Sequence, residues 1–542
     1  MAQTAFRRVG AEPDIEIEFD GVRLPARRGE SVAASLLASG RGAALCAVGQ
    51  CFQCVATVDG IANRRTCRVA AEPGMRVECA AREFAVRRRA ARVPIPCGDV
   101  VVVGAGPAGA ALSLALAAEG VRVTLLDDCD APGGQVWRRP ASGDAPDARD
   151  GGAWLRARIA AVGLVDHRAG VETVDLRDGR EVWALDRDGY GHILRPRIVA
   201  VATGAIERNV ALPGWDLPGV LNLGGLQALA KAQGLVPGGL PALLAGTGPL
   251  LYLVADELCR AGVRLAAVVD AAPFPSPAVI GALFGAPGLA RRALGFEWRL
   301  RRAGVPVLRG HAVARIAGDM AEKRVAVRKL GGDGAVRHFT AGAVGLGFGL
   351  RPNVDLVQVG GAELGYDAAL GGWHARVDGA CETSVPALYA IGETCGVRGV
   401  EAALCDATVA AAAIVERLGR AVSSELAAAV RAARERRVRF ARAARALGAW
   451  ARVPEGLADA DTPVCRCEMV LRRDLDAAAA IDLQSPAAVK MATRLGMGLC
   501  QGRACAANAT RAAEGPPRAR FPIRPCPADA FAPDLAAAEP GG

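Results

Sequence analysis

Sixteen cysteines stand in the 542-residue chain, and eight of them form two spaced sets. The first is Cys46-x4-Cys51-x2-Cys54, with twelve residues between Cys54 and Cys67. The second is Cys465-Arg466-Cys467, a gap of 32 residues, then Cys500-x4-Cys505. Thiolates on a tight loop hold an iron–sulfur cluster, and four of them also suit a tetrahedral zinc ion. Near the first set, Gly42 and Gly49 can expose backbone amides, whose hydrogen bonds to sulfur raise a cluster's potential. Near the second, Gly496, Gly498 and Gly502 allow a turn to wrap the metal, while Arg494 and Arg503 can offset its negative charge. A bare Cys51–Cys54 redox disulfide is the remaining alternative. Cys381, Cys395 and Cys405 are isolated and read as small buried hydrophobes.

A second chemistry lies in the glycines. Asp99–Val103 reads as a buried strand, followed by Gly104-Ala105-Gly106-Pro107-Ala108-Gly109 and a helix through Glu119. Gly104 permits the tight turn, Gly106 lets the backbone approach a pyrophosphate, and Gly109 lets helix and strand pack closely. The helix N-terminus supplies amide donors and partial positive charge. The next strand, Val121–Leu126, ends at Asp127 with Asp128 beside it, where an acid takes ribose hydroxyls. A similar turn, Gly246-Thr247-Gly248-Pro249-Leu250-Leu251, precedes the strand Val263–Val269 and Asp270. Leu251 replaces the third glycine there, and no arginine cluster follows for an NADP 2′-phosphate. That second unit is expected to be a degenerate or repurposed NAD(H) site. The region around these turns holds no Cys-x-x-Cys, which argues against dithiol–disulfide reduction.

Three further segments resemble the FAD-dependent pyridine-nucleotide-disulfide oxidoreductase superfamily. They are Pro132-Gly133-Gly134-Gln135, Thr203-Gly204 at a strand end, and Gly392-Glu393 after Tyr389-Ala390-Ile391. The resemblance implies FAD held by Gly104, Gly106, Pro107, Ala108, Gly109, Asp127, Asp128, Gly133, Gly134, Gln135, Thr203, Gly204, Gly392 and Glu393. The front cysteines have plant-type ferredoxin spacing, and Gly49-Gln50-Cys51-Phe52-Gln53-Cys54 is similar to the ferredoxin-like domain of bacterial amine-oxidising flavoproteins. The rear set and Thr493–Cys505 resemble the [2Fe-2S] domain of bacterioferritin-associated ferredoxin. With Pro213–Val220, the domain order resembles the α subunit of the bacterial opine oxidase, D-hydroxyproline dehydrogenase and hydrogen cyanide synthase family. The α subunit of heterotetrameric sarcosine oxidase shares the front half but continues into a folate-binding domain, which is not expected here.

That resemblance implies an electron-transfer subunit. A partner FAD-bearing β subunit related to D-amino-acid oxidase would oxidise an amine or imino acid. Electrons would cross, often through FMN at a subunit interface, into this chain's FAD and two [2Fe-2S] clusters. A respiratory acceptor, quinone or carrier, would take them. The sequence shows no general base or substrate carboxylate clamp, so no catalytic residue is assigned. The alternative is a self-sufficient NAD(P)H-dependent reductase using Asp270's nucleotide site.

The elements that must position these groups give an α/β, two-dinucleotide-binding Rossmann-type flavoprotein. A β-grasp ferredoxin-like domain (14–80) opens it with the strand Ile15–Phe19, an Asp20-Gly21 turn and a helix over Ser31–Ala38. A linker (81–96), the first FAD-binding segment (97–236), the second Rossmann unit (237–345) and the second FAD-binding segment (346–416) follow. An arginine-rich helical linker (417–459), a small α-helical [2Fe-2S] domain (460–515) and a loosely ordered tail (516–542) complete it.

Composition narrows the remaining classes. Hydrophobic residues are 51% and charged residues 23%, which excludes wholesale disorder. Only four basic residues are lysine, so the net charge of +10 is almost all arginine and does not read as a lysine-rich nucleic-acid surface. Arg431, Arg434, Arg436, Arg437, Arg439, Arg442 and Arg445 are expected on a solvated or subunit-docking face. The charge-free stretches Val100–Ala118, Gly234–Ala255 and Ala271–Ala290 are broken by Gly-x-Gly turns or prolines, so no membrane span is expected. No apolar leader follows Met1–Gly10, and the cysteines are too sparse for a disulfide scaffold. A cytoplasmic location, peripheral to a membrane through partners at most, is the expectation. The five histidines have no metal spacing.

Overall fold

The computed structural model describes residues 5–42, 44–79, 94–138, 151–284, 286–332, 334–481, 483, 485–505, 507–508, 519–527 and 530–531. Most of the 81–96 linker and of the 516–542 tail lies outside them. The chain divides into two compact units. Unit 1 is Met1–Arg87, Glu207–Gly349 and Trp450–Gly515, and unit 2 is Arg88–Ile206, Leu350–Ala449 and Pro516–Gly542.

Unit 2 is built on five parallel strands in the order Leu388–Ala390, Ile198–Val201, Val100–Val103, Val123–Asp127, Val165–Ala169. Val100–Val103 is four consecutive valines, all buried, as a strand covered on both faces requires. Helix Pro107–Ala118 follows it and packs on helix Val400–Arg417. Both neighbours of Val100–Val103, Val123–Asp127 on one side and Ile198–Val201 on the other, come later in the chain, so the connections leave this strand in opposite directions and the strand ends around it open a crevice at the reversal of order. Beside this sheet stands a three-stranded antiparallel one, Glu172–Arg177, Glu181–Leu185 and Gly191–Leu194.

Within the segment expected as a loose tail, the described residues 519–527 and 530–531 make packed contacts. Phe531 lies with its ring centroid 4.6 Å from that of Trp183, and Phe521 packs edge-on at 5.7 Å. Arg524 is buried and pairs with Glu172 at 3.3 Å. Ile523 and Phe531 are buried, while Phe521 touches Trp183 edge-on but stays exposed, so two apolar side chains find surface to cover here.

The arginine tract forms a single helix, Ser424–Trp450, that buries Leu426, Val430, Ala433 and Ala443. Arg431, Arg434, Arg436, Arg439, Arg442 and Arg445 are solvent-exposed, as expected. Arg437 instead turns inward to an ion pair with Asp406 at 2.8 Å.

Unit 1 carries a second parallel sheet, in the order Val220–Asn222, Ala343–Gly347, Ala242–Gly246, Leu265–Asp270, Val307–Arg309. It also carries the front sheet, ordered Val22–Ala26, Ile15–Phe19, Arg76–Glu78, Val55–Val58, Ile61–Arg65. Its hairpin Ile15–Ala26, the parallel pairing of Ile15–Phe19 with Arg76–Glu78, and helix Val32–Ala38 make a β-grasp. The rear cysteines sit on the short hairpin Pro463–Leu471 and the turns after helix Pro486–Thr493. Trp215, fully buried, donates its indole N–H to the Pro463 carbonyl at 2.7 Å and fastens this module to the segment Pro213–Val220. Asn508 adds two hydrogen bonds, from the Ala211 amide at 2.8 Å and to the Val464 carbonyl at 3.2 Å. Among the described residues, no helix is long and apolar enough to cross a membrane.

Candidate cofactor sites

The residues expected to hold FAD converge at the C-terminal ends of unit 2's parallel strands. Gly104 has φ +104°, and a Cβ there would come within 2.4 Å of the Ala202 carbonyl oxygen. A Cβ on Gly109 would stand 1.9 Å from the Gly104 oxygen, so any side chain forces helix and strand apart. Gly106, by contrast, faces open space, with nothing within 4 Å of a built Cβ. Close packing behind an open backbone turn, ahead of a helix N-terminus, is the cradle a pyrophosphate needs. Pro107 opens that helix at its first turn, and Ala108 faces the glycine turn at Gly392.

Asp127 ends its strand, and its carboxylate accepts from the amides of Ala105 and Cys129, the latter at 2.6 Å. Asp128 follows it at the strand end. The Gly133 amide donates to the Ala105 carbonyl at 2.8 Å, and a Cβ on Gly134 would meet the Gly106 Cα at 2.9 Å. The two glycine turns thus touch, leaving Gln135 exposed beyond them. Thr203 Oγ1 donates to the Asn353 carbonyl at 2.9 Å, and Gly204 has φ +69° with open space beside it. Gly392 has φ +68°, and its amide donates to Asp406 at 3.1 Å. Burial pushes the Glu393 carboxyl above the ordinary range, against the Gly399 amide and Arg398.

Asp406 was not singled out by the sequence. It has no solvent exposure and receives Arg398 at 2.5 Å and Arg437 at 2.8 Å. Its only sequence signal is an acid in the mostly apolar middle of helix Val400–Arg417.

In unit 1, all four front cysteines are buried. The amides of Gln50 and Cys51 both point at Cys46 Sγ, at 3.4 Å each. These are the neighbours of Gly49, whose φ of +80° turns the backbone inward. The Cys51 thiol and the loop amides hold the Cys46 thiol down at about 6 against the burial that raises it. Cys54 and Cys67 are in hydrogen-bonding contact, and the Thr66 hydroxyl and amide both bind the Cys54 carbonyl, at 2.8 and 3.0 Å. Arg65 braces the loop by donating to the Gly49 carbonyl at 2.9 Å.

The rear sulfurs form a connected run, with Cys467 exposed and the other three buried. Cys465 Sγ lies 3.7 Å from Cys467 Sγ, which lies 3.9 Å from Cys500 Sγ, and Cys505 contacts Cys465. The Cys467 thiol and then Cys505 depress Cys465 strongly, and Cys467 depresses Cys500 to about 6. A Cβ on Gly498 would collide with Cys467 Sγ at 2.4 Å, so only glycine leaves that sulfur its place. Four soft donors, partly ionised and enclosed by a glycine turn, fit a thiolate-ligated metal centre. Arg503 is buried and donates to the Cys500 carbonyl at 3.1 Å. Arg494 does not serve as expected: its guanidinium goes to Glu468, 2.8 Å away.

The second glycine turn is closed by its own neighbours. Tyr252 donates its hydroxyl to Asp270 at 2.6 Å, and the Ala272 amide takes the other oxygen at 2.9 Å. Burial raises the Asp270 carboxyl, against these donors and Arg309. Leu251, in the third glycine position, is completely buried among apolar neighbours of that helix.

The fold and these sites define a flavin-dependent oxidoreductase with a [2Fe-2S] domain. The sequence matches the family described as pyridine nucleotide-disulphide oxidoreductase over residues 98–413 and the 2Fe-2S iron-sulfur cluster binding domain over residues 12–82. These domains imply FAD and an iron–sulfur cluster. The chain belongs to that oxidoreductase family, in the group that holds the A chain of opine oxidase and the HcnB chain of hydrogen cyanide synthase. It is 35% identical to the opine oxidase A chain of Rhizobium meliloti (strain 1021), over 76% of this chain and 91% of that protein. It is 36% identical to the hydrogen cyanide synthase HcnB chain of Pseudomonas aeruginosa, over 80% of this chain and 97% of that protein. In fold it is similar to L-proline dehydrogenase from P. horikoshii, with a TM-score of 0.69 and 18% identity, covering 98% and 99% of the two chains.

Proposed function

We propose that this chain is the electron-transfer subunit of a heteromeric amine or imino-acid dehydrogenase, of the opine, D-hydroxyproline or glycine type. A partner FAD subunit related to D-amino-acid oxidase would oxidise the substrate, with FMN at a subunit interface as a further carrier. A quinone or other respiratory carrier would accept the electrons. The observation that carries the reading is the pair of four-cysteine sites within unit 1, in a chain that also bears an FAD fold. The close relatives are themselves subunits of oxidases and synthases, which supports a partner.

In this reading Gly104, Gly106, Gly109 and the following helix hold the FAD pyrophosphate. Asp127 receives ribose hydroxyls, and Gly392 and Glu393 border the ribityl chain. Cys46, Cys51, Cys54 and Cys67 hold the front [2Fe-2S] cluster, and Cys465, Cys467, Cys500 and Cys505 the rear one. Flavin, when bound, supplies the exchange between two-electron and one-electron chemistry, and each cluster carries one electron. The protein's role is to fix these groups, to bury the front sulfurs, and to set potentials by amides and charges.

The test is co-expression with the flavoprotein encoded by the neighbouring gene. The two chains are expected to co-purify with FAD and both clusters, and an amine or imino acid is expected to bleach the complex anaerobically. Separate elution, or rapid flavin bleaching of the isolated chain by NADH, would contradict the reading. The Tyr252–Asp270 bond favours no reaction with NADH, because it occupies the acid that a ribose would need.

A further inference from the structure

Arg466 lies between two rear ligands, Cys465 and Cys467, but its side chain serves neither of them alone. Its guanidinium leaves the hairpin, stacks over the Trp215 ring at 5.2 Å and donates Nη2 to the Asp216 carbonyl at 3.0 Å. Its Nη1 is closed off from solvent and has no hydrogen-bond partner. The surroundings are one continuous buried core that includes Cys46, Cys51 and Phe52 from the front loop, Trp215, and Cys465, Cys500 and Cys505 from the rear module. Burial lowers this guanidinium's proton affinity, with Cys51 and then Asp216 acting against it. An arginine stays charged under such pressure, so a fixed cation whose Nη1 has no partner stands against a core that holds cysteines of both sets.

A two-iron cluster on four thiolates is a net anion, and reduction adds a further negative charge without making or breaking a bond. A nearby desolvated cation favours the reduced state, and does so more strongly than in water. A cation between two such anions also lessens the repulsion between an electron on one and an electron on the other. Resting on the functional reading above, we propose that Arg466 is a counter-cation shared by the front and rear clusters, a positioning residue that raises both potentials into one window. Each cluster then takes one electron from the reduced flavin of the complex, its diferric pair becoming ferric–ferrous.

The test uses the full chain with iron and sulfide analysis and an EPR-monitored reductive titration of the wild type, Arg466→Gln and Arg466→Lys. In Arg466→Gln both cluster signals are expected to remain. Each midpoint should fall so that the reduced-to-oxidised ratio at a fixed potential drops about tenfold, about 59 mV for a one-electron couple. Arg466→Lys, which keeps the charge, is expected to recover at least half of that shift in both. Unmoved midpoints in a glutamine variant with both clusters, or a shift of the rear signal alone, overturn the proposal. A measurement on the wild type stands independently of how the variants fold. In the fully reduced chain the two signals should broaden each other by spin coupling, and two independent signals overturn the shared position. A wild type that takes up only one cluster overturns the functional reading and this inference together, whereas two clusters with unmoved midpoints overturn this inference alone.

Discussion

Asp406 shows how one buried charge can hold a flavin turn. It binds Arg398 and Arg437 and accepts the Gly392 amide, so its loss strands two guanidiniums and frees the turn. Asp406→Ala is expected to cost about 3–5 kcal/mol of stability and to lower bound flavin, read by denaturation and by visible absorbance per chain. Glu207 gives a second prediction. It accepts the Gly224 amide at 3.0 Å, its Oε1 is closed off from solvent, and burial pushes its carboxyl up to about 8. Since the folded value exceeds the ordinary one, the folded chain keeps a proton that the unfolded chain releases. Stability therefore falls as pH rises from about 4.5 through 8, at up to about 1.4 kcal/mol per pH unit. Glu207→Gln should flatten that stretch of the thermal-stability profile, and an unchanged slope would place the proton elsewhere. The eight clustered cysteines were legible because ligand spacing is a local pattern. Asp406, Glu207 and Arg466 were not, because their meaning lies in partners from distant segments.

At the scale of elements, two glycine turns of nearly the same sequence have different fates. In the first, Gly109 lets the helix touch the Gly104 carbonyl, and Gly106 faces open space. Gly109→Ala is expected to abolish FAD binding, seen as a colourless flavin region after purification while cluster absorbance persists. In the second, Leu251 fills the third glycine position and Tyr252, next along the helix, reaches Asp270. The missing glycine could be read from the sequence; the tyrosine's hold on the acid could not. The strand–turn–helix units were legible for a physical reason. Their valine and leucine runs mark parallel strands covered on both faces, and their glycines mark where the backbone must turn. In the proline- and alanine-rich segment after 518, the contacts of Ile523 and Phe531 were not legible, because composition says nothing of the distant apolar surface, Trp183 included, that they cover.

For the whole molecule, chain order and compact units do not coincide. Cysteine sets some 400 residues apart in sequence belong to unit 1, while the FAD segments before and after the second Rossmann insert belong to unit 2. The front [2Fe-2S] and flavoprotein types were legible from motifs, but this regrouping was not, because it depends on contacts such as Trp215 with Pro463 and Asn209 with Ala504. Removing the indole donor with Trp215→Phe is expected to loosen the rear module, costing about 1–3 kcal/mol and speeding loss of rear-cluster iron to a chelator. The central claim is that electrons from an amine oxidised on a partner reach both iron–sulfur sites of this chain. The most direct measurement is EPR of the co-purified complex, frozen after anaerobic addition of the amine substrate. Two distinct reduced [2Fe-2S] signals that need both the amine and the partner are the predicted result. Signals that NADH produces in the isolated chain, or an amine-reduced flavin with both clusters left oxidised, would contradict it.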